Sequence, residues 1–235
     1  MIPVVLLHGS NSWGEELSPL AQALARNGIQ ARMPNLLGHG GRPVPASWTF
    51  GDFADDLVAW LDAERIERAR FVGYSTGAYL ALFLARHHAS RVESVVAIAA
   101  KYVIDAKTIE HWAYLTSLER FLEPGHPRVP LYERHHADWK TMTQNNNRMF
   151  RAWADGAPLT EADLAQIGVP VMVIGGDRDP LVSWNETRAL GRLIPGAHVA
   201  MCYGSSHPIS AMPLNGVAQA IARWMERATD RPPAG

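Results

Sequence analysis

Six short apolar runs punctuate the chain, at residues 4–7, 29–33, 69–72, 92–99, 169–174 and 198–203. Most are rich in Val and Ile, and several are bounded by Gly or Pro, which are the marks of strands rather than helices. They are near-continuous rather than alternating, as expected of parallel strands covered on both faces. Longer amphipathic segments lie between them. Residues 16–27 carry Leu17, Leu20 and Leu24 at spacings of three and four, with Gly28 as a stop signal. Residues 53–63 carry Phe53, Leu57, Trp60 and Leu61, and residues 76–88 carry Tyr79, Leu80, Phe83 and Leu84. Further helices are predicted over 185–193 and 214–227. This repetition predicts an α/β fold, an open parallel sheet with helices on both faces and right-handed crossovers.

One stretch breaks the rhythm. Some 70 residues separate the fourth apolar run from the fifth, far beyond an ordinary crossover. Residues 101–158 hold Tyr102, Trp112, Tyr114, Phe121, Tyr132, Trp139, Phe150 and Trp153, with Met142 and Met149. They read as two or three helices forming a cap above a core built from 1–100 and 159–235. The alternative is an extended crossover with a small core of its own. The tail from Asp230 to Gly235, with its Pro-Pro, is expected to fray.

Composition narrows the class. A chain of 235 residues with 47% hydrophobic and 19% charged residues has enough material for one well-packed domain. A net charge of −1 gives no electrostatic reason to expect nucleic acid or an anionic membrane as partner, and the scattered Arg residues read as solvated surface. Cys202 is the single cysteine, so no internal disulfide can form, which fits a reducing compartment. The N-terminal run is too short for a signal peptide, and no run approaches the roughly 20 residues that span a bilayer. The expectation is a cytoplasmic protein whose partner is a small molecule. The oligomeric state stays open.

The strongest local signal is Gly73-Tyr74-Ser75-Thr76-Gly77, where a strand ends and a helix begins. A serine there sits on a sharp turn with its hydroxyl projecting from the sheet edge, and small neighbours let the chain make that turn. The helix N-terminus brings free N–H groups and partial positive charge to the same place. The competing reading is a tight turn with a capping serine. A serine nucleophile needs a base, and the base needs a partner. His207 stands in Gly204-Ser205-Ser206-His207-Pro208 after the last strand, and Asp179 in Gly175-Gly176-Asp177-Arg178-Asp179-Pro180 after the fifth. All three fall at the C-terminal ends of strands, where open α/β sheets form their sites. Asp177 competes with Asp179 as the acid.

Other signals weigh less. Residues 9–14 have phosphate-loop spacing, but Glu15 follows where that loop needs Lys. The pairs His87-His88 and His135-His136 are adjacent along helices, where two side chains diverge by about 100°, so a shared metal is not expected. His8 and His39 read as structural groups hydrogen-bonding near the site, and Cys202 as a buried small hydrophobe. No cofactor is implied.

The sequence resembles the α/β-hydrolase superfamily over nearly its whole length. The matching pieces are Leu7-His8-Gly9, Gly38-His39-Gly40, the turn around Ser75, Gly176-Asp177-Arg178-Asp179 and the late His207. The resemblance implies a triad of Ser75, Asp179 and His207, its spacing favouring Asp179 over Asp177, with Asp177 capping a turn. It also implies oxyanion donors in the backbone N–H groups of Ser10 and Thr76. Two departures stand out. The family usually places two strands before the one ending in His-Gly, so six strands are expected here, in the order 2-1-3-4-5-6. Leu37 and Asn35 stand where many relatives have Pro and Asp. The implied activity is a serine hydrolase acting on a small to medium apolar ester, thioester or lactone, given the aromatic cap and the lack of a basic cleft. A C–C bond hydrolase or lyase on the same triad, and a small-molecule receptor without turnover, are the alternatives.

Overall fold

The computed structural model describes residues 2–229, so the tail expected to fray lies outside the described residues. Six strands form one sheet: β1 (Val4–Leu7), β2 (Ala31–Arg32), β3 (Ala69–Tyr74), β4 (Val92–Ile98), β5 (Val171–Gly176) and β6 (His198–Cys202). Every pairing is parallel, and the order is β2-β1-β3-β4-β5-β6. The six-stranded open sheet and its strand order are as the sequence predicts.

Successive residues of each strand serve opposite faces. Val5, Leu7, Phe71, Val95, Ala97, Val171 and Val173 enter one apolar core. Val4, Leu6, Val72, Val96, Ile98, Met172 and Ile174 enter another. The second core is closed by α1 (Ser18–Ala25) and α10 (Leu214–Thr229), which pack on each other. The first is covered by α2 (Phe50–Ala63) and α3 (Thr76–His87). Helix α2 starts three residues earlier than the periodicity predicts because Thr49 and Asp52 form a reciprocal cap there.

The edges depart from expectation. Strand β2 has two residues rather than five: the Ile29 N–H is still taken by the Leu24 carbonyl in the turn that ends α1, and just beyond Met33 the ring of Pro34 offers no N–H to a ladder. At the other edge, Val199 and Met201 of β6 and the following Tyr203 are exposed, so coverage on both faces fails in this last strand.

Between β4 and β5 the chain forms α4 (Ala106–Leu115), α5 (Leu118–Phe121), α6 (Val129–His135), α7 (Trp139–Ala152) and α8 (Glu161–Leu164), followed after β5 by α9 (Trp184–Leu193). Four of these, α4 to α7, lie within residues 101–158, against two or three expected. The extra one, α5, is a single turn capped by Ser117, too short to leave a periodic pattern. The insert's aromatic residues do not form a separate core. Trp153 stacks on Tyr79 of α3 at 5.0 Å and meets Phe50 of α2 edge-on at 5.3 Å. Trp112 and Phe150 close on each other at 4.8 Å and join the same cluster.

Candidate active site

The turn at Ser75 is built from backbone crowding. Ser75 holds φ 53° and ψ −118°, a strained conformation for a residue with a side chain. Its N–H donates to the Ile98 carbonyl at 2.9 Å, and its own carbonyl accepts from Ala78 and Tyr79. A Cβ at Gly73 would stand 2.2 Å from the Gly77 carbonyl oxygen, and one at Gly77 would stand 2.3 Å from that of Leu7. Glycine is therefore required at both ends of the pentapeptide, and α3 can press against β1 and β3 with Ser75 at its head.

The three predicted side chains meet. His207 Nε2 lies 3.2 Å from Ser75 Oγ, and His207 Nδ1 lies 2.8 Å from Asp179 Oδ2. A carboxylate only accepts, so Nδ1 carries the imidazole proton and Nε2 is left to accept from the serine hydroxyl. The Asp179 side chain is fully buried, and that of His207 is 15% exposed. The other oxygen of Asp179 accepts from the N–H groups of Leu181 and Val182 at 2.8 and 2.9 Å. Such an arrangement is a proton path from a hydroxyl to an imidazole whose orientation is fixed from behind.

Asp177 has a different place. Its carboxylate accepts from the Ser205 N–H at 3.1 Å, and Arg178 N–H donates back to the Ser205 carbonyl at 3.0 Å. These bonds lace the loop after β5 to the loop carrying His207. Tyr74 adds a third tie, its hydroxyl donating to the His207 carbonyl at 2.9 Å. Sequence reading missed Tyr74, because the middle residues of the Gly73–Gly77 turn look interchangeable until a partner 133 positions away is in view.

Ser10 and Thr76 both line the cavity that contains Ser75 and His207. Among the described residues, the Ser10 N–H has no acceptor, and Thr76 opens α3, where a helix leaves its first N–H groups unpaired. The Ser10 hydroxyl is buried without a partner.

The cavity has a volume of about 430 Å³, within the range of small-molecule sites. Trp112, Phe121, Tyr132, Phe150 and Trp153 of the insert form part of its wall, with Leu17 and Leu20 from below. The wall is not free of basic groups, contrary to expectation: Lys101, Arg120 and Arg128 also line it. Arg128 reads as surface in the sequence, yet it grips Glu16 through both Nη atoms, at 2.6 and 3.2 Å. Burial pushes the Glu16 carboxyl up, but Arg128 and the hydroxyl of Ser12 outweigh it and hold it below its ordinary value.

His8 and His39 lie outside the cavity wall, buried and hydrogen-bonded. His8 Nδ1 donates to the Gly9 carbonyl at 2.8 Å, and Nε2 accepts from the Leu36 N–H at 3.0 Å. His39 Nδ1 donates to Leu37, and Nε2 accepts from Asn146, which also donates to Asn11. His136 Nδ1 accepts from the Gly40 N–H. The three rings adjoin, with centroids 5.3 and 5.9 Å apart. Burial pushes His8 and His136 down to about 4 and His39 well below its usual value. The trio joins the loops after β1 and β2 to the insert. Cys202 is buried in the apolar core, as expected. Among the described residues, no cluster of His, Cys, Asp or Glu is placed to share a metal ion, and no helix is long and apolar enough to cross a membrane.

Comparison with known proteins agrees with this architecture. Residues 4–220 match the alpha/beta hydrolase family. The chain is 26% identical to the esterase YbfF of Escherichia coli over 239 residues, covering 95% of this chain and 92% of that protein. It is 29% identical to a thermostable monoacylglycerol lipase of a Bacillus species over 191 residues, covering 77% and 72% of the two. Among solved structures, a thermophilic esterase from Thermogutta terrifontis superposes with a TM-score of 0.78 at 20% identity, over 97% of this chain and 90% of the other. A match over nearly the full sequence, on a six-stranded parallel sheet with a strained serine at its centre, leads to one conclusion: the chain belongs to the alpha/beta hydrolase family.

Proposed function

We propose that this hydrolase cleaves a small to medium carboxylic ester, thioester or lactone through an acyl-enzyme on Ser75. The observation that carries the reading is the unbroken contact from Ser75 Oγ to His207 to Asp179 at one wall of a largely apolar cavity. His207 Nε2 takes the hydroxyl proton as Ser75 Oγ attacks the carbonyl carbon. The oxyanion is received by the N–H groups of Ser10 and Thr76, and each such donor is worth about 10²–10³ in rate. Collapse of the tetrahedral intermediate breaks the bond to the leaving alkoxide or thiolate, which takes the proton from His207. Water then attacks the acyl group, His207 accepts its proton, and the acid leaves as Ser75 Oγ is reprotonated. Asp179 keeps the imidazole in the required tautomer and faces the positive charge that forms on it.

Residues 101–158 act in this scheme as a cap whose aromatic side chains receive the apolar part of the substrate and exclude water. The single Cys202 supports a reducing, cytoplasmic setting. The test is Ser75→Ala on an activated 4-nitrophenyl ester. Turnover is expected to fall by roughly 10⁴-fold with the fold intact. Unchanged turnover removes Ser75 from the chemistry.

A further inference from the structure

Three cations line the cavity, and two are already neutralised by the protein. Lys101 Nζ lies 2.7 Å from Glu186, whose other oxygen accepts from the Tyr102 and Val103 N–H groups. Arg128 is bound to Glu16 through both Nη atoms. Arg120 differs. Among the described residues it has no carboxylate within ion-pair distance. Its guanidinium rests against the rings of Phe121 and Tyr114, at 5.6 and 5.8 Å from their centroids. One Nη donates to the Leu115 carbonyl at 3.3 Å, which uses one of five N–H groups. An arginine held against two rings is positioned without being satisfied. In a site bounded by Trp112, Phe150 and Trp153, its remaining donors have little to bond except water or a ligand.

We propose that the natural substrate carries a carboxylate on the part remote from the scissile bond, and that Arg120 receives it as the specificity-determining residue. This rests on the reading of Ser75 as the nucleophile of an ester hydrolase. A planar carboxylate matches the guanidinium fork with two parallel bonds. A phosphate is disfavoured, because it brings close to two charges to a wall with one uncommitted cation and with the Glu16 carboxylate in the same cavity. The substrate is then a half-acid, apolar along the chain that meets the aromatic wall and anionic at its end. This replaces the neutral apolar ester expected from the sequence, where the scattered Arg residues read as solvated surface.

The test compares two acyl chains of equal length, mono-4-nitrophenyl adipate and 4-nitrophenyl hexanoate. Wild-type enzyme is expected to favour the adipate in kcat/KM by about tenfold or more, as charged hydrogen bonds of this kind allow. Arg120→Gln is expected to abolish that preference chiefly through the KM of the adipate, and Arg120→Lys to keep part of it. Absence of a preference in the wild type, or an equal loss on both esters in Arg120→Gln, overturns the proposal. If neither ester is cleaved, the hydrolase reading fails by itself. Calorimetric binding of free adipate to wild type and Arg120→Gln then decides the subsite: weaker binding in the variant supports it, and equal affinity overturns it.

Discussion

At the residue scale, the proposed mechanism depends on which nitrogen of His207 bears the proton, and the contact with Asp179 is what would set that. Its Oδ1 is pinned by the Leu181 and Val182 N–H groups, so its Oδ2 is the oxygen presented to the ring. In Asp179→Asn the two backbone donors would hold the amide oxygen, and the NH₂ would face Nδ1. The imidazole must then accept at Nδ1 and carry its proton on Nε2, where it can no longer accept from Ser75. Turnover of an activated ester is expected to fall by about 10⁴-fold with little change in thermal stability, as the wrong tautomer does in triads of this kind. A loss below tenfold would show that the imidazole is oriented by something else.

At the scale of elements, the His8, His39 and His136 trio joins two core loops to the insert, and it makes the joint sensitive to acid. Burial depresses all three, so the unfolded chain binds protons at these positions more readily than the folded one. The stability they contribute is complete above their unfolded pKa near 6.5. It drains as pH falls through the window from there to about 4, where the folded protein itself protonates. For His8 alone the loss at pH 5 is about 2 kcal/mol, which lowers the unfolding temperature by about 4–8 °C in a chain of this size. Thermal scans between pH 7 and 5 should show this fall, and His136→Gln should make it smaller by the share of that ring while leaving the shares of His8 and His39. An unfolding temperature constant across that range would mean the rings are not buried neutral.

At the scale of the whole molecule, the regular parts were legible and the long-range pairings were not. That the side chains of Ser75, Asp179 and His207 meet could be anticipated because each follows a strand, and a parallel sheet brings the ends of its strands to one rim. Strand β2 was overestimated because the apolar run begins at Ile29, whose N–H is still spent on the turn that ends α1, and ends against Pro34, which has no N–H to give. Helix α5 left no period to detect. The grip of Arg128 on Glu16 joins positions 112 apart, and no local pattern separates such an arginine from a solvated one. Arg120 was hidden for the same reason, and with it the chemical character of the cavity.

The central claim is that the Ser75 hydroxyl is the nucleophile, made reactive by His207. Incubation with a fluorophosphonate probe, followed by intact mass and peptide mapping, tests it most directly. One adduct per chain, located on Ser75 and lost in His207→Ala, is the expected result. An adduct on another side chain, or no adduct on a folded protein that still cleaves an ester, would contradict the account.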